Sequence, residues 1–177
     1  MKRLLTLIAC VLLGGCASPA LERYRSETPP LDLPAYFNGT LDGWGMFQDR
    51  SGEVKKRFHV VIDARWQGDV GTLDEHFQWA DGTTSRRVWT LTRQADGRWQ
   101  GQADDVVGPA RGEVAGNALR WQYVLSLPVD GRVWHVDFDD WMFLIDERTL
   151  LNRAVMSKWG IRLGEVTVSF TRRSPPR

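Results

Sequence analysis

Pairs of residues that favour tight turns recur along the chain and limit the length of any regular element between them. They follow one another about every ten to fifteen residues, which leaves no room for a helix of three turns. Asp-Gly and Gly-Asp pairs tolerate positive φ and match the twist of antiparallel strands, so they typically join the strands of a hairpin. The pairs are Ser51-Gly52, Gly68-Asp69, Asp81-Gly82, Asp96-Gly97, Gly116-Asn117, Asp130-Gly131 and Asp146-Glu147. They predict a meander of short strands.

About ten antiparallel strands fit between these turns. An open sheet of that size would expose its edges and leave one aromatic face uncovered, whereas a closed barrel removes both problems. We therefore predict an all-β, up-and-down barrel of the lipocalin or fatty-acid-binding-protein type over residues 31–177, with a two-sheet sandwich as the alternative. Residues 31–37 are predicted to form a short helix or a cap. The predicted strands cover residues 39–48, 54–66, 71–79, 84–94, 98–104, 110–115, 118–127, 132–145, 149–158 and 164–171.

The N-terminus has the pattern of a bacterial export signal. Basic residues precede an apolar run that is too short to span a bilayer, and the run ends in Leu13-Gly14-Gly15-Cys16. These four residues resemble the lipobox, in which the cysteine is lipidated and the chain is cut before it. We predict a signal peptide over residues 1–15, lipidation of Cys16 and a tether over residues 16–30. The alternative is a soluble secreted protein with a coincidental cysteine.

Composition excludes several classes of function. The chain has 23 Lys and Arg against 22 Asp and Glu, so it lacks the basic excess that nucleic-acid binding requires. Its only cysteines, Cys10 and Cys16, belong to the predicted export signal, which leaves no thiol for catalysis. The histidines do not have the spacing of metal ligands. We expect no metal and no cofactor, whereas the nine tryptophans could line an apolar cavity.

The turn at Asp130-Gly131 predicts which side chains of two long strands face each other. A two-residue turn aligns the strands so that Tyr123 lies opposite Phe138 and Trp121 lies opposite Asp140. The other residues at these alternating positions are apolar, so this face is predicted to form the core. Asp140 is therefore predicted to be an interior carboxylate.

Two acid–base pairs are predicted inside the barrel. A loop of two or four residues before the next strand would put Arg153 on the face of Asp140, and an unpaired carboxylate there would cost several kcal/mol. We therefore predict an Asp140–Arg153 ion pair. The same counting puts Glu75 on an apolar face with Arg86 as its diagonal partner. Each pair would either fix the fold or meet a ligand.

Three runs in the second half of the chain carry a family resemblance. They are FDDWMFLID at residues 138–146, LNRAVMSKWG at 151–160 and GEVT at 164–167. Together with the lipobox, they resemble a proteobacterial outer-membrane lipoprotein family of unknown function. The resemblance implies a lipocalin-like barrel at the inner leaflet of the outer membrane, facing the periplasm, and favours an acyl-bearing ligand. It implies no chemistry. Asp42-Gly43-Trp44 lacks the Gly-X-Trp spacing of lipocalins, so that likeness concerns architecture alone.

Three functions are compatible with these observations. The first is a lipid-anchored, non-enzymatic protein that holds a small apolar or acyl-bearing ligand, with Arg153 and Arg86 meeting its carboxylate or phosphate. The second is an enzyme acting on a lipid, with Asp140 or Glu75 as acid or base. The third is a filled barrel that binds envelope partners through an exposed patch such as Trp44 or Trp141. The candidate ligand-binding residues are Asp140, Arg153, Trp121, Glu75, Arg86, Tyr123 and Phe138.

Overall fold

Each strand pairs with the strand that follows it in sequence, and the first strand pairs with the last, which closes the barrel. The computed structural model describes residues 20–129 and 131–174, so the predicted lipobox and Cys16 lie outside the described residues. The prediction of an all-β antiparallel barrel is confirmed. The strands are β1 Gly39–Asp49, β2 Val54–Gln67, β3 Val70–Trp79, β4 Thr84–Arg93, β5 Trp99–Gln102, β6 Ala110–Ala115, β7 Ala118–Val129, β8 Arg132–Leu144, β9 Thr149–Lys158 and β10 Ile161–Arg172.

A short helix, α1 (Leu33–Tyr36), closes one end of the barrel. The Asp32 side chain caps it by accepting a hydrogen bond from the backbone N–H of Ala35 at 2.8 Å. Leu33, Tyr36 and Phe37 are buried in the core. The predicted short helix in this segment is confirmed, and its apolar side chains plug this end of the barrel.

The described part of the predicted tether contacts the outside of the barrel. It contains a 3-10 helix, Leu21–Tyr24. The ring of Tyr24 packs edge-on against Phe143 at 5.0 Å and Trp141 at 5.9 Å between centroids. A Cβ on Gly116 would lie 1.8 Å from the Tyr24 carbonyl oxygen, and Gly116 has a φ of +54°, so this approach requires glycine. Residues near the N-terminus therefore cover part of the outer wall.

The register of β7 and β8 follows the sequence prediction. Trp121 pairs with Asp140 and Tyr123 pairs with Phe138. Asp140 is 5% exposed and Phe138 is 7% exposed, so this face forms the core. The prediction that Asp140 is an interior carboxylate is confirmed.

The predicted Asp140–Arg153 pair is wrong because three residues, 146–148, separate the paired residues Ile145 and Thr149, whereas a spacing of two or four was predicted. The backbone N–H of Ile145 bonds to the carbonyl of Thr149 across this loop. Asp140 consequently pairs with Ala154, and Arg153 pairs with Trp141 on the opposite face of the wall. An odd loop length reverses the face of every residue on the following strand.

The predicted Glu75–Arg86 pair is wrong for the same reason. Three residues, 80–82, also separate the paired residues Trp79 and Thr83, where the Trp79 N–H donates to the Thr83 carbonyl and Gly82 has a φ of +84°. This geometry is that of a turn followed by a bulge at a left-handed residue. Glu75 therefore pairs with Arg87.

The barrel wall is incomplete beside the N-terminal half of β4, residues 84–89. Strand β5 is short and pairs only with Thr90–Arg93 of β4. The connection between β5 and β6 continues past the end of β5, where Val106 forms an isolated bridge with Leu125 of β7. Described residues 84–89 therefore have no strand partner on that side, and side chains must close the gap.

Candidate ligand-binding cavity

The barrel encloses a cavity of about 670 Å³ that opens at the end opposite α1. This volume is in the range of small-molecule sites, which are concave and mostly apolar. Lys56, Trp79, Val129 and Trp134 line the mouth, and Leu33 of α1 lines the floor. The aromatic lining residues are Phe37, Phe47, Phe58, Phe77, Trp79, Trp89, Trp121, Tyr123, Trp134, Phe138 and Phe170.

A cluster of aromatic rings forms one side of the cavity. Tyr123 stacks on Phe138 with centroids 4.9 Å apart, and Trp89 meets Tyr123 edge-on at 5.4 Å. Trp89 also meets Trp121 edge-on at 5.8 Å. These edge-on and stacked arrangements are the favoured ones for aromatic pairs. The predicted candidates Trp121, Tyr123 and Phe138 thus do lie together on the cavity wall.

The indole of Trp121 lies flat against the backbone of β5 and β6, because two glycines there leave room for it. A Cβ on Gly101 or on Gly112 would lie 2.3 Å from the indole. The two glycines belong to the short strands β5 and β6, and the ring covers the backbone that their missing side chains expose. Trp121 is therefore held rigidly opposite Asp140.

Asp140 lies deep in the cavity with one neighbour that partly satisfies it. The Asn152 Nδ2 group donates to Asp140 Oδ2 at 3.4 Å. Among the described residues, Asp140 Oδ1 and Asn152 Oδ1 are buried without a hydrogen-bond partner. Burial raises the pKa of Asp140 to about 7, against the lowering effect of the Asn152 hydrogen bond.

A second polar group spans the gap beside β4. The Arg87 guanidinium donates to both carboxylate oxygens of Asp105 at distances of 2.7 to 3.0 Å, which ties β4 to the β5–β6 connection. Arg87 Nη1 lies 3.9 Å from Glu75 Oε2, which accepts no hydrogen bond from the described residues. Burial raises the pKa of Glu75 to about 7, while the charge of Arg87 opposes this. Burial disfavours the charge of Arg87, but Asp105 and Glu75 outweigh it and raise its pKa.

The two arginines predicted to meet a ligand point out of the barrel. Arg153 is bound to Glu165 at 2.8 Å, and its side chain is 60% exposed. Arg86 forms a bidentate pair with Asp74 at 2.7 Å and only borders the mouth. Both therefore belong to ion pairs outside the cavity.

Sequence reasoning missed three residues that line the cavity, Arg87, Asp105 and Asn152. The signal for two of them was present in the alternation of each strand. Arg87 shares its face with Trp89 and Leu91, and Asn152 shares its face with Leu150 and Ala154. Asp105 lies in an irregular connection, where no periodicity applies.

The family of the chain can be identified by sequence comparison. The model of the family DUF3833, described as "Protein of unknown function", matches residues 10–172. The chain belongs to this family. The prediction that the chain belongs to a family of unknown function is thus confirmed. The matched range includes Cys16.

Solved structures similar to this DUF3833 protein are barrels of low sequence identity. The S-type phycobiliprotein lyase CPES from Guillardia theta is 8% identical, with a TM-score of 0.55, over 89% of this chain and 100% of that one. Lobster apocrustacyanin A1 is 11% identical, with a TM-score of 0.44, over 92% of this chain and 73% of that one. A de novo designed fluorescence-activating β-barrel is 13% identical, with a TM-score of 0.45, over 81% of this chain and 99% of that one. The lyase comparison supports the barrel fold and nothing finer.

No helix within residues 20–129 and 131–174 is long and apolar enough to cross a membrane. The same residues contain no group of three or more His, Cys, Asp or Glu side chains that could hold a metal ion. Of the exposed patches proposed from the sequence, Trp44 is 55% exposed, whereas Trp141 is partly covered by Tyr24.

Proposed function

We propose that the protein binds one small, largely apolar molecule inside its barrel. The observation that carries the proposal is the cavity of about 670 Å³, closed by α1 and open at the other end. A barrel whose only task was structural would bury its interior side chains against one another, since native cores are close-packed. An apolar cavity with a few convergent polar groups is typical of a ligand site.

The polar contacts of this site come from the interior residues rather than from the arginines predicted at first. Asp140, Asn152 and Glu75 line the cavity and carry buried oxygens that have no hydrogen-bond partner in the described part of the chain. Unpartnered buried polar atoms are uncommon and costly in native structures, so each needs an explanation. A ligand that bonds to them removes the cost.

Extraction of the purified protein tests the proposal. We expect organic extraction and mass spectrometry to recover a small apolar molecule from the full chain. Ala154 is buried and lines the cavity, so Ala154→Phe should fill part of the space and reduce recovery at least fivefold. Val155→Phe is the matched control, because Val155 alternates with Ala154 and lies on the other face of β9.

Two outcomes would contradict the proposal. One is that no small molecule is recovered and that added apolar probes also fail to bind. The other is that both phenylalanine variants reduce recovery equally. A molecule bound in the cavity should be lost only from Ala154→Phe, so equal losses would mean that it is bound elsewhere.

We further propose that the protein is anchored to the envelope by lipid on Cys16, on the inner leaflet of the outer membrane. The lipobox-like residues 13–16 support this proposal. Labelling of cells with radioactive palmitate should mark the wild-type protein and not Cys16→Ser. Incorporation of label into Cys16→Ser would contradict the anchor without affecting the proposal about the cavity.

A second candidate function is acid–base catalysis on the bound molecule. The specific observation that favours it is the pKa of about 7 at both Asp140 and Glu75, which suits proton transfer near neutral pH. Incubation of the recovered molecule with the protein should then give a product that Asp140→Asn does not form. Unchanged recovery of the molecule after long incubation would leave binding as the function.

A further inference from the structure

The deepest polar atoms of the cavity are hydrogen-bond acceptors. Asp140 is 5% exposed and Asn152 is 6% exposed, and both line the cavity. Their unpartnered atoms are Asp140 Oδ1 and Asn152 Oδ1, on adjacent strands. A ligand group that meets both oxygens when Asp140 is ionised must therefore supply hydrogen-bond donors.

The interior charges also favour a donor over an acceptor. Glu75, Asp105 and Asp140 line the cavity, and the one interior base among the described lining residues away from the mouth is Arg87. Asp105 already occupies the Arg87 guanidinium with bidentate hydrogen bonds. A carboxylate or phosphate placed beside Asp140 would find no unpaired cation among the described lining residues there and would meet like charge.

The aromatic rings beside Asp140 favour a positive charge. Trp121 pairs directly with Asp140, and Tyr123 and Phe138 follow along the same two strands. Faces of aromatic rings attract ammonium groups, and sites for alkylated ammonium ligands are commonly built from such rings. A buried carboxylate beside aromatic rings is a combination suited to an amine.

Building on the proposed function, we propose that the ligand is an amphiphile with a protonated amine at its head, which lies deep in the cavity against Asp140 and Asn152. An ammonium group has three donors and no acceptor, so it can donate to both of these oxygens, one of which belongs to the Asp140 carboxylate. The apolar body of the ligand extends toward the mouth along the aromatic wall. This reverses the expectation of an anionic head group bound by arginine.

A ligand in the opposite orientation, with its head group at the mouth, also has a candidate binding partner. Lys56 lines the mouth, with its Nζ atom 5.3 Å from the centroid of the Trp79 ring. A fatty acid could point its carboxylate at Lys56 and its tail at the floor. The experiment must therefore separate a head at the floor from a head at the mouth.

A series of ten-carbon ligands with different head groups provides the test. Decylamine, decanol and decanoate are titrated against the full chain, held in a non-ionic amphipathic polymer at pH 7.5, with displacement of the neutral fluorescent probe N-phenyl-1-naphthylamine as the readout. We expect decylamine to displace the probe at a concentration at least tenfold lower than decanoate, with decanol between them. All three share one chain length, so the difference measures the head group.

Matched variants locate the head group. Asp140→Asn should weaken decylamine at least tenfold and leave decanol nearly unchanged. Asp139→Asn is the control, because Asp139 is the next residue on β8 but is bound to Arg120 on the outer face. Asn152→Leu, a second variant, should also weaken decylamine. Retained binding of the probe shows that a variant is folded with its cavity intact.

The possible failures are distinguishable. If the probe and all three ligands fail to bind, the proposed function is wrong and the amine proposal falls with it. If the three ligands bind equally, or if Asp140→Asn leaves the preference unchanged, the cavity binds apolar molecules but the amine proposal is wrong. If decanoate binds most tightly and Lys56→Met removes its advantage, the head lies at the mouth, which also overturns the amine proposal.

Discussion

The two faces of the barrel wall treat neighbouring acidic residues in opposite ways. On the outer face, Asp139 accepts two hydrogen bonds from Arg120, at 2.7 and 2.9 Å. On the inner face, Asp140 has only the 3.4 Å contact with Asn152, and one of its oxygens has no partner among the described residues. The outer acid is satisfied by the fold itself. The inner acid keeps an unpartnered oxygen, which costs free energy unless a ligand donates a hydrogen bond to it.

The same contrast recurs on β3 and β4. The outward Asp74 and Arg86 form a bidentate pair exposed to solvent. The inward Glu75 lies 3.9 Å from Arg87, whose hydrogen bonds go to Asp105 instead. Adjacent residues of one chemical type thus differ in their hydrogen bonding, and the difference depends on which face of the wall they occupy. Local exceptions to polar satisfaction are expected where a protein keeps groups for function.

The largest expected effect comes from removing the interior arginine. Arg87→Met should lower the free energy of unfolding by about 3 kcal/mol, because it leaves Asp105 and Glu75 near a cavity without their cation. Arg86→Met, on the next residue, should cost less than about 1 kcal/mol, since exposed ion pairs contribute little. Urea unfolding of both variants measures the difference. Equal losses would show that the inner and outer arginines are energetically alike, and the contrast between the faces would fail.

The next effect is a pH dependence of stability that Asp140 should produce and its outward neighbour Asp139 should not. The pKa of Asp140 is raised from 3.8 to about 7 in the folded protein, so the folded state binds more protons than the unfolded state between these values. Stability therefore falls as pH rises through this window and levels off above it. From pH 5 to pH 7.5, Asp140 should account for roughly 2 kcal/mol of this fall.

Unfolding of Asp140→Asn and Asp139→Asn at both pH values checks the assignment. Asp140→Asn should flatten the pH dependence by that amount, and Asp139→Asn should keep the wild-type slope. Glu75 contributes a similar slope, because its pKa is also raised to about 7 by burial. A wild-type slope retained in Asp140→Asn would contradict the burial of an unsatisfied carboxyl at this position.

The smallest effect is expected at Arg153, on the outer face. Its side chain is 60% exposed and paired with Glu165, so Arg153→Met should cost less than about 1 kcal/mol of stability. The same variant should retain apolar probes as well as the wild type does. Probe titration alongside thermal unfolding checks both points. A loss of binding in Arg153→Met would contradict this account, because it would favour the earlier hypothesis that Arg153 meets an anionic head group of the ligand.

The sequence could predict the barrel and part of its interior, and the reason for the limit is physical. Alternation along β7 and β8 placed Trp121, Tyr123 and Asp140 correctly, because a two-residue turn has a definite register. It misassigned Arg153 and Arg86, because both preceding loops contain three residues. Whether a loop has two or three residues depends on local hydrogen bonds that turn-forming dipeptides do not specify. One residue of error there exchanges the inside and the outside of a whole strand.

The size of the interior could not be predicted from the same patterns. Periodicity shows which residues face inward, but whether their side chains fill the space depends on strand tilt and on neighbours such as Gly101 and Gly112, which let Trp121 lie flat. The cavity and its unpartnered oxygens appear only once all ten strands are closed.

Binding of one apolar probe per barrel is the most direct test of the central claim, that the cavity holds a ligand. Titration of the full chain with N-phenyl-1-naphthylamine should saturate at one probe per chain. Ala154→Phe, which fills the cavity, should reduce the affinity at least tenfold, and Val155→Phe, on the outer face of the same strand, should not. Binding that never saturates, or that is unaffected by Ala154→Phe, would contradict the account.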